Sequence, residues 1–283
     1  MGAGPKTVVP SPPAQPPNYG LLKSVEPISD PNLRWANGIL YSPETCGDGG
    51  AAAPCDVGTL TIDERSTSVD VEPFWVWHGD VCSAFGFGEQ DFKGRARRAL
   101  EAVQSYQIER ELWTGELADA QGWTTNPRLA DLSGDDLTEG SSVGLTHGMA
   151  CLEQYLASVY WGRPGMIHAT PQVVTHWMGL DLIRHEGDKL VTAMGTVVVP
   201  GAGYQGTNPS GTIGDNNIWA YATGMVSVRL GEIAVWPDDF DQALDREDNT
   251  IRFFAARPTT VEWDGCALAG VQLAVTQCST GGS

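Results

Sequence analysis

Apolar positions follow two periods along the chain. Between residues 91 and 118, Ala96, Ala99, Val103, Tyr106, Arg110, Trp113 and Leu117 recur at alternating steps of three and four, and only Arg110 is polar. That spacing predicts a long helix with one narrow stripe, laid across a neighbour rather than enclosed in a bundle. A second helix is predicted over about 142–160, with Leu145, Met149, Leu152, Leu156 and Val159 facing inward and Ser141 or Ser142 as N-cap. Elsewhere the period shortens to two. Leu60 and Ile62, then Val69 and Val71, predict two strands joined by the polar turn Asp63–Ser68. Met166–Ala169 reads as a strand, and Thr170-Pro171 as N-cap and first residue of a short helix to Trp177. Strand-like runs fill 189–199, 218–236, 250–257 and 259–275. Residues 119–140 read as loop, and 200–217, rich in Gly, Asn, Pro and Ser, as a loop too polar for a core.

Residues 1–30 hold seven prolines and few large apolar side chains. Such a segment is extended, and its composition fits a solvated tail and an arm on a neighbouring copy equally. The order is therefore arm, hairpin, long helix, second helix, then strands with short helices. This is an α+β arrangement rather than a regular βαβ alternation.

Composition narrows the function classes. The 283 residues carry a net charge of −18, which excludes gripping nucleic acid with the whole surface. Charged residues make up 18%, while Gly (34) and Pro (18) supply many turns. No run approaches the ~18 apolar residues of a membrane span. The opening MGAGPK lacks a secretory apolar core, and Lys6 stands where the myristoylation pattern needs Ser or Thr. The six cysteines (46, 55, 82, 151, 266, 278) form no Cys-x-x-Cys pair. Cys46 and Cys55 flank a Gly-rich loop that a disulfide can close in an oxidising medium, but free thiols are expected.

Candidate chemistry is sparse. No phosphate-binding loop is present, and Gly201-Ala202-Gly203 follows a strand without a helix after it. His78, Asp80 and Cys82 supply the residue types of a cysteine nucleophile with its base and orienting acid, though such triads usually assemble from distant segments. The local reading is an aromatic strand packing on the following helix. His168 and the other four histidines read as surface or packed residues. The acids Asp238, Asp239, Asp241 and Asp245, and the pair Asp135-Asp136, read as solvated turns before divalent-cation sites. Trp75, Trp77, Trp113, Trp177, Trp219 and Trp236 lie in apolar or periodic contexts and read mostly as packing residues. One charge cluster stands out: Lys93, Arg95, Arg97 and Arg98, four of the 17 basic residues, open the long helix. Cations there oppose the helix dipole, so nearby acids or an external polyanion should compensate.

The order of elements resembles the major capsid proteins of tailed double-stranded DNA bacteriophages, with the Hong Kong 97 fold, and most of all those of phages infecting actinobacteria. GMIHATPQVVTHW (165–177), KLVTAMGTVVVPGAGYQG (189–206), IWAYATGMVSVRLGEIAVW (218–236) and NTIRFFAARPTTVEWDGCALAGVQL (249–273) resemble that family's successive strand and short-helix stretches. The resemblance implies an N-terminal arm at 1–56, an extended hairpin loop at 57–80 and a spine helix at 91–118. It further implies a peripheral domain at about 119–190 and 226–283, and an axial domain at about 191–225. It implies no catalysis and no cofactor or metal, but a shell built from pentamers and hexamers of this chain. Scaffold, portal and decoration proteins would be partners, and packaged double-stranded DNA a non-specific content. Location in the virion, after assembly in the host cytoplasm, follows. The basic cluster Lys93, Arg95, Arg97 and Arg98 would then face the DNA or an acidic neighbour.

Two rival readings stand beside it: an encapsulin-type bacterial compartment with protein cargo, and a Cys-dependent hydrolase using Cys82 and His78. Residues 57–77 contain no lysine, so cross-linking through a loop lysine is not expected. No charged helical segment precedes the arm, so either the scaffold is a separate protein or the numbering starts after a cleavage, and the initial Met favours the former.

Overall fold

The computed structural model describes residues 12–31, 33–43, 68–83, 92–131, 133–212, 214, 216–263, 265–276 and 278. The first half runs through α1 (Leu21–Ser24), β1 (Ile28–Ser29), a 3-10 turn, β2 (Ile39–Tyr41), β3 (Val69–Val71), β4 (Phe74–Ser83), α2 (Phe92–Thr114), α3 (Glu116–Gln121) and β5 (Asp135–Asp136). Then come α4 (Leu145–Val159), β6 (Met166–Ala169), α5 (Pro171–Gly179), β7 (Ile183–Glu186), β8 (Lys189–Thr192) and β9 (Val197–Pro200). The remainder comprises β10 (Ile218–Thr223), β11 (Ser227–Leu230), β12 (Ala234–Trp236), α6 (Phe240–Ala243), β13 (Leu244–Asp245), β14 (Thr250–Glu262) and β15 (Leu268–Leu273).

Two sheets organise these elements. The first is built on β14, which pairs along its whole first ten residues with β4 and, on its other side, with β11, β12 and β13; β1 adds to β11. The reading that divides this strand at Pro258 is corrected, because β14 is continuous. Pro258 sits in the gap between β11 and β12, where only its carbonyl is used, accepting from Gly231 N–H at 2.9 Å. A proline is tolerated in a strand where no partner needs its missing N–H. The second sheet has the order β5-β15-β10-β6-β9-β8-β7 and is covered by α4 and α5. The expected limit between peripheral and axial parts, at residues 190–191, falls inside β8, and β6 and β7 share this sheet with β9 and β10.

Helix α2 packs on the first sheet by a face rotated from the one the spacing predicts, keeping Ala96 and Trp113 of the predicted stripe buried. Phe92, Ala96, Leu100, Gln104, Ile108 and Leu112 are buried, together with Ser105, Glu109 and Trp113. Tyr106 is 49% exposed and Arg110 is exposed. Three polar side chains on the buried face hide it from a hydrophobic pattern: Gln104 and Glu109 are satisfied by partners distant in sequence, and Ser105 by Glu109 on the next turn. The helix also stops earlier than expected: Gly115, at φ 63°, ends it, and its N–H bonds to Glu111 O at 2.7 Å. A left-handed residue after the last turn favours glycine.

Other expectations change in detail. α4 begins at Leu145 behind Gly144, with no side-chain cap, so neither Ser141 nor Ser142 is the N-cap. Its Gly148 lies so close to β15 that a Cβ would stand 2.2 Å from Leu273. Thr170 caps α5, with Pro171 in the first turn. β3 pairs with β2 at 39–41; the expected partner at 60–62, like the rest of 57–67, lies outside the described residues. Within the expected arm, Leu21, Val25 and Trp35 are buried and β1 joins the first sheet, so the described part of that segment is folded onto the body between Leu21 and Trp35. The loop 200–217 is not excluded from the core: Gly201, Gly203, Tyr204, Gly206 and Thr207 are buried in its first half.

Candidate functional site

The most constrained polar group described is the carboxylate of Glu109. Its Oε1 accepts from Leu21 N–H at 2.7 Å and from the Ser105 hydroxyl at 2.8 Å; Oε2 accepts from Gly203 N–H at 3.0 Å. The Ala202 amide also bonds to it. One helix residue thereby fastens the start of α1, the middle of α2 and the loop after β9. Two glycines make room: a Cβ on Gly20 would stand 2.3 Å from Glu109 Oε1, and one on Gly203 would stand 2.2 Å from Tyr106 O. The Gly201-Ala202-Gly203 segment is therefore a close packing turn against α2. Burial pushes the Glu109 carboxyl above its ordinary 4.5, against the pull of the Gly203, Leu21, Ser105 and Ala202 donors.

Beside this junction the core carries a second polar chain. His168, fully buried on β6, has Nδ1 2.8 Å from Tyr204 Oη and Nε2 2.9 Å from Thr223 Oγ1. Burial pushes its pKa down to about 3, so the ring is neutral near pH 7. Tyr204 packs on Trp113, whose Nε1–H donates to Thr207 Oγ1 at 2.8 Å.

The basic start of α2 is spread over several partners. Lys93 lies 3.5 Å from Asp238, and Arg95 bonds Asp80 at 2.7 and 2.9 Å. Arg97 and Arg98 are exposed on the same helix. Asp80 is thus engaged with Arg95 and is not aimed at His78 as an orienting acid. The Cys82 side chain lies outside the described residues. Asp239 caps α6 by accepting from Asp241 N–H at 3.1 Å, while Asp241 and Asp245 pair with Arg246 and Arg252, both at 3.4 Å. Asp136 accepts from Thr138 and Gly140 N–H at 2.9 and 2.8 Å. Among the described residues no group of three or more His, Cys, Asp or Glu is disposed to hold a metal ion. No described helix is long and apolar enough to cross a membrane. Cys151 and Cys278 are free thiols, but Cys266 is disulfide-bonded, which corrects the expectation of free thiols throughout.

The tryptophans also depart from expectation. Trp113, Trp177 and Trp219 are buried, whereas Trp75, Trp77 and Trp236 are 51%, 60% and 37% exposed on the outer face of the first sheet. Strand alternation explains the first two: Phe74 and Val76 of β4 face α2, so Trp75 and Trp77 face away.

No family model and no curated relative matches the chain. Solved structures do. The capsid of an empty GTA particle aligns at 10% identity and TM-score 0.56, over 96% of this chain and 96% of that one. A chain from Mycobacterium phage Adephagia aligns at 9% identity and TM-score 0.54, over 99% and 96%. The holo-SrpI encapsulin complex from Synechococcus elongatus aligns at 11% identity and TM-score 0.54, over 98% and 95%. The chain has the Hong Kong 97-like fold. Each of these alignments covers at least 95% of both chains, so the likeness spans nearly the whole length of this one. The long helix α2, the second helix α4 and a strand-rich remainder follow one another in the order expected from the sequence.

Proposed function

We propose that the chain is a major capsid protein, which self-assembles into the icosahedral head enclosing the double-stranded DNA of a phage. The observation that carries this reading is the near-complete, two-way coverage of a GTA capsid chain and of chains from Mycobacterium phages. The surface supports it. An exposed segment at 12–16 and an apolar sheet face open to water suit a subunit completed by its neighbours. The first sheet with α2 makes the peripheral part, the seven-stranded sheet with α4 and α5 the axial part, and 201–217 lies toward the five- and six-fold centres. Many moderate contacts sum to a stable shell on closure. No catalytic step is required of it.

In this reading Lys93, Arg95, Arg97 and Arg98 contact packaged DNA or an acidic neighbour, with Arg97 and Arg98 the more accessible pair. The double change Arg97→Glu, Arg98→Glu should cut the yield of full particles at least about tenfold, since many weakened contacts multiply over a closed shell. Particle counts and DNA content by density gradient decide it, and normal full heads would sink the assignment. Scaffold, portal and decoration proteins would be supplied separately, and assembly would take place in the host cytoplasm.

The encapsulin alignment keeps a bacterial compartment as the second reading. Negative-stain microscopy of the expressed chain, with nuclease-protected DNA and co-purifying protein both assayed, separates the two. Shells packed with DNA in an infected host support the capsid; shells that retain a specific protein cargo support the compartment. A compact monomer under all conditions, with or without scaffold, overturns both.

A further inference from the structure

The outer face of the first sheet carries an open, apolar groove of about 890 Å³. Its walls are Trp75, Trp77, Trp236 and Phe254. Trp75 meets Trp236 edge-on at 6.4 Å between centroids, and Trp236 stacks on Phe254 at 5.2 Å. Its floor is made of small residues: Gly79 is the register partner of Phe254, and Ala256 that of Trp77. A row of aromatic ridges over a small-residue floor is the surface that proline-rich segments in polyproline II conformation dock into. Exposed contiguous apolar surface of this kind marks an interaction site.

The chain holds a segment of the matching kind. Pro10, Pro13 and Pro16 recur every third residue, within PSPPAQPP at 10–17. Polyproline II turns once in three residues, so these three prolines fall along one edge. That edge spans about 19 Å at 3.1 Å per residue. The outward row of β4 from Trp75 to Val81 spans about 20 Å at 3.4 Å per residue. Lys6 is the sole charged side chain before Lys23, and Asp238, 89% exposed and 3.5 Å from Lys93, lies next to Pro237 at the rim of the groove. Residues 12–16 are exposed and line no part of the groove in their own chain. They continue into Leu21, which is fastened to Glu109 on α2, on the opposite side of the sheet. A neighbouring copy has no such tether.

We propose that the aromatic groove of one copy receives the proline segment Pro10–Pro17 of a second copy. The inference rests on the shell reading for its setting but is testable without a shell. The full-length chain carrying Pro10→Ala, Pro13→Ala and Pro16→Ala leaves its own groove unfilled, whether it is monomeric or assembled. A synthetic peptide of residues 5–18 titrated into it should change the tryptophan emission saturably. Trp77→Ala in the same background should weaken binding at least about tenfold, as expected for an anchoring aromatic. Phe254→Ala is the second such variant, should Trp77→Ala fold poorly by circular dichroism. A peptide of equal composition with the prolines moved off the three-residue spacing should bind correspondingly less. Absence of a saturable change, equal binding by both aromatic variants, or equal binding of the rearranged peptide overturns the proposal.

The exchange between copies is read in assembled particles. A photo-cross-linking residue replacing Phe254, in a mixture of light- and heavy-nitrogen chains, should give mixed-label cross-links to residues 10–17. Same-label cross-links only, or cross-links to another segment or protein, overturn the proposal and leave the shell reading intact. Saturable peptide binding by a chain that never assembles supports the groove and counts against the shell.

Discussion

The two sides of the first sheet invert the usual rule of burial. On the inner side, α2 buries Gln104, Ser105 and Glu109. On the outer side, β4 holds Trp75 and Trp77 half in water. The inner polar groups are tolerable because each has a partner: Arg257 donates to Gln104 at 3.0 Å, and four donors surround the Glu109 carboxylate. A buried polar group costs little once hydrogen-bonded and much when it is not. The outer aromatics have no such compensation within one chain. The inner side is therefore finished in the single molecule, while the outer side is the kind of surface that association completes.

The sharpest way to break this comparison is to remove the inner anchor. Glu109→Ala should lose about 3–5 kcal/mol of unfolding free energy, because it strands buried donors on three segments. Urea denaturation measures it, and a loss below ~1 kcal/mol would mean that the junction is incidental. Ionisation sharpens the same point. The folded pKa of Glu109 is raised, so its contribution is fully present below 4.5 and fades as pH rises through the higher folded value. His168 has the opposite sign. Its folded pKa of about 3 lies below the ordinary 6.5, so its contribution is present above 6.5 and is lost as pH falls toward 3. That acid limb should amount to about 4 kcal/mol, and His168→Gln should flatten it in a series of denaturation curves between pH 3 and 7. An unchanged limb would place the acid sensitivity elsewhere. The smallest effect is expected on the outer side. Trp77→Gln in the unassembled chain should shift stability by no more than ~0.5 kcal/mol, as for an exposed position. A loss as large as that of Glu109→Ala would show that the outer aromatics already serve the single chain.

Much of the layout was legible in the chain itself. Thr170-Pro171 marked the start of α5, because a capping hydroxyl and a proline in the first turn act within four residues. Met149, Leu152 and Leu156 identified the buried face of α4 for the same local reason. The face of α2 was misread, since a stripe containing Gln104, Ser105 and Glu109 is invisible to a count of apolar residues. Nothing near Glu109 in sequence announces that its donors come from Leu21 and from Ala202 and Gly203. The continuity of β14 through Pro258 was hidden too, because only the arrangement of β11 and β12 shows that its missing N–H goes unused.

The chain by itself determined the α+β order, the Thr170-Pro171 start of α5, the strand alternation that turns Trp75 and Trp77 to one side, and the three-residue spacing of its prolines. Each of these depends on neighbours within about one turn or two strand residues, where covalent geometry already fixes direction. The tertiary structure decided which side of α2 is inner, where β8 belongs and which carboxylate is enclosed. Those outcomes depend on donors and apolar surfaces brought together from positions 88 to 94 residues apart, such as Leu21, Glu109 and Gly203. No local period records such distances; only the closed chain puts the partners within 3 Å of one another.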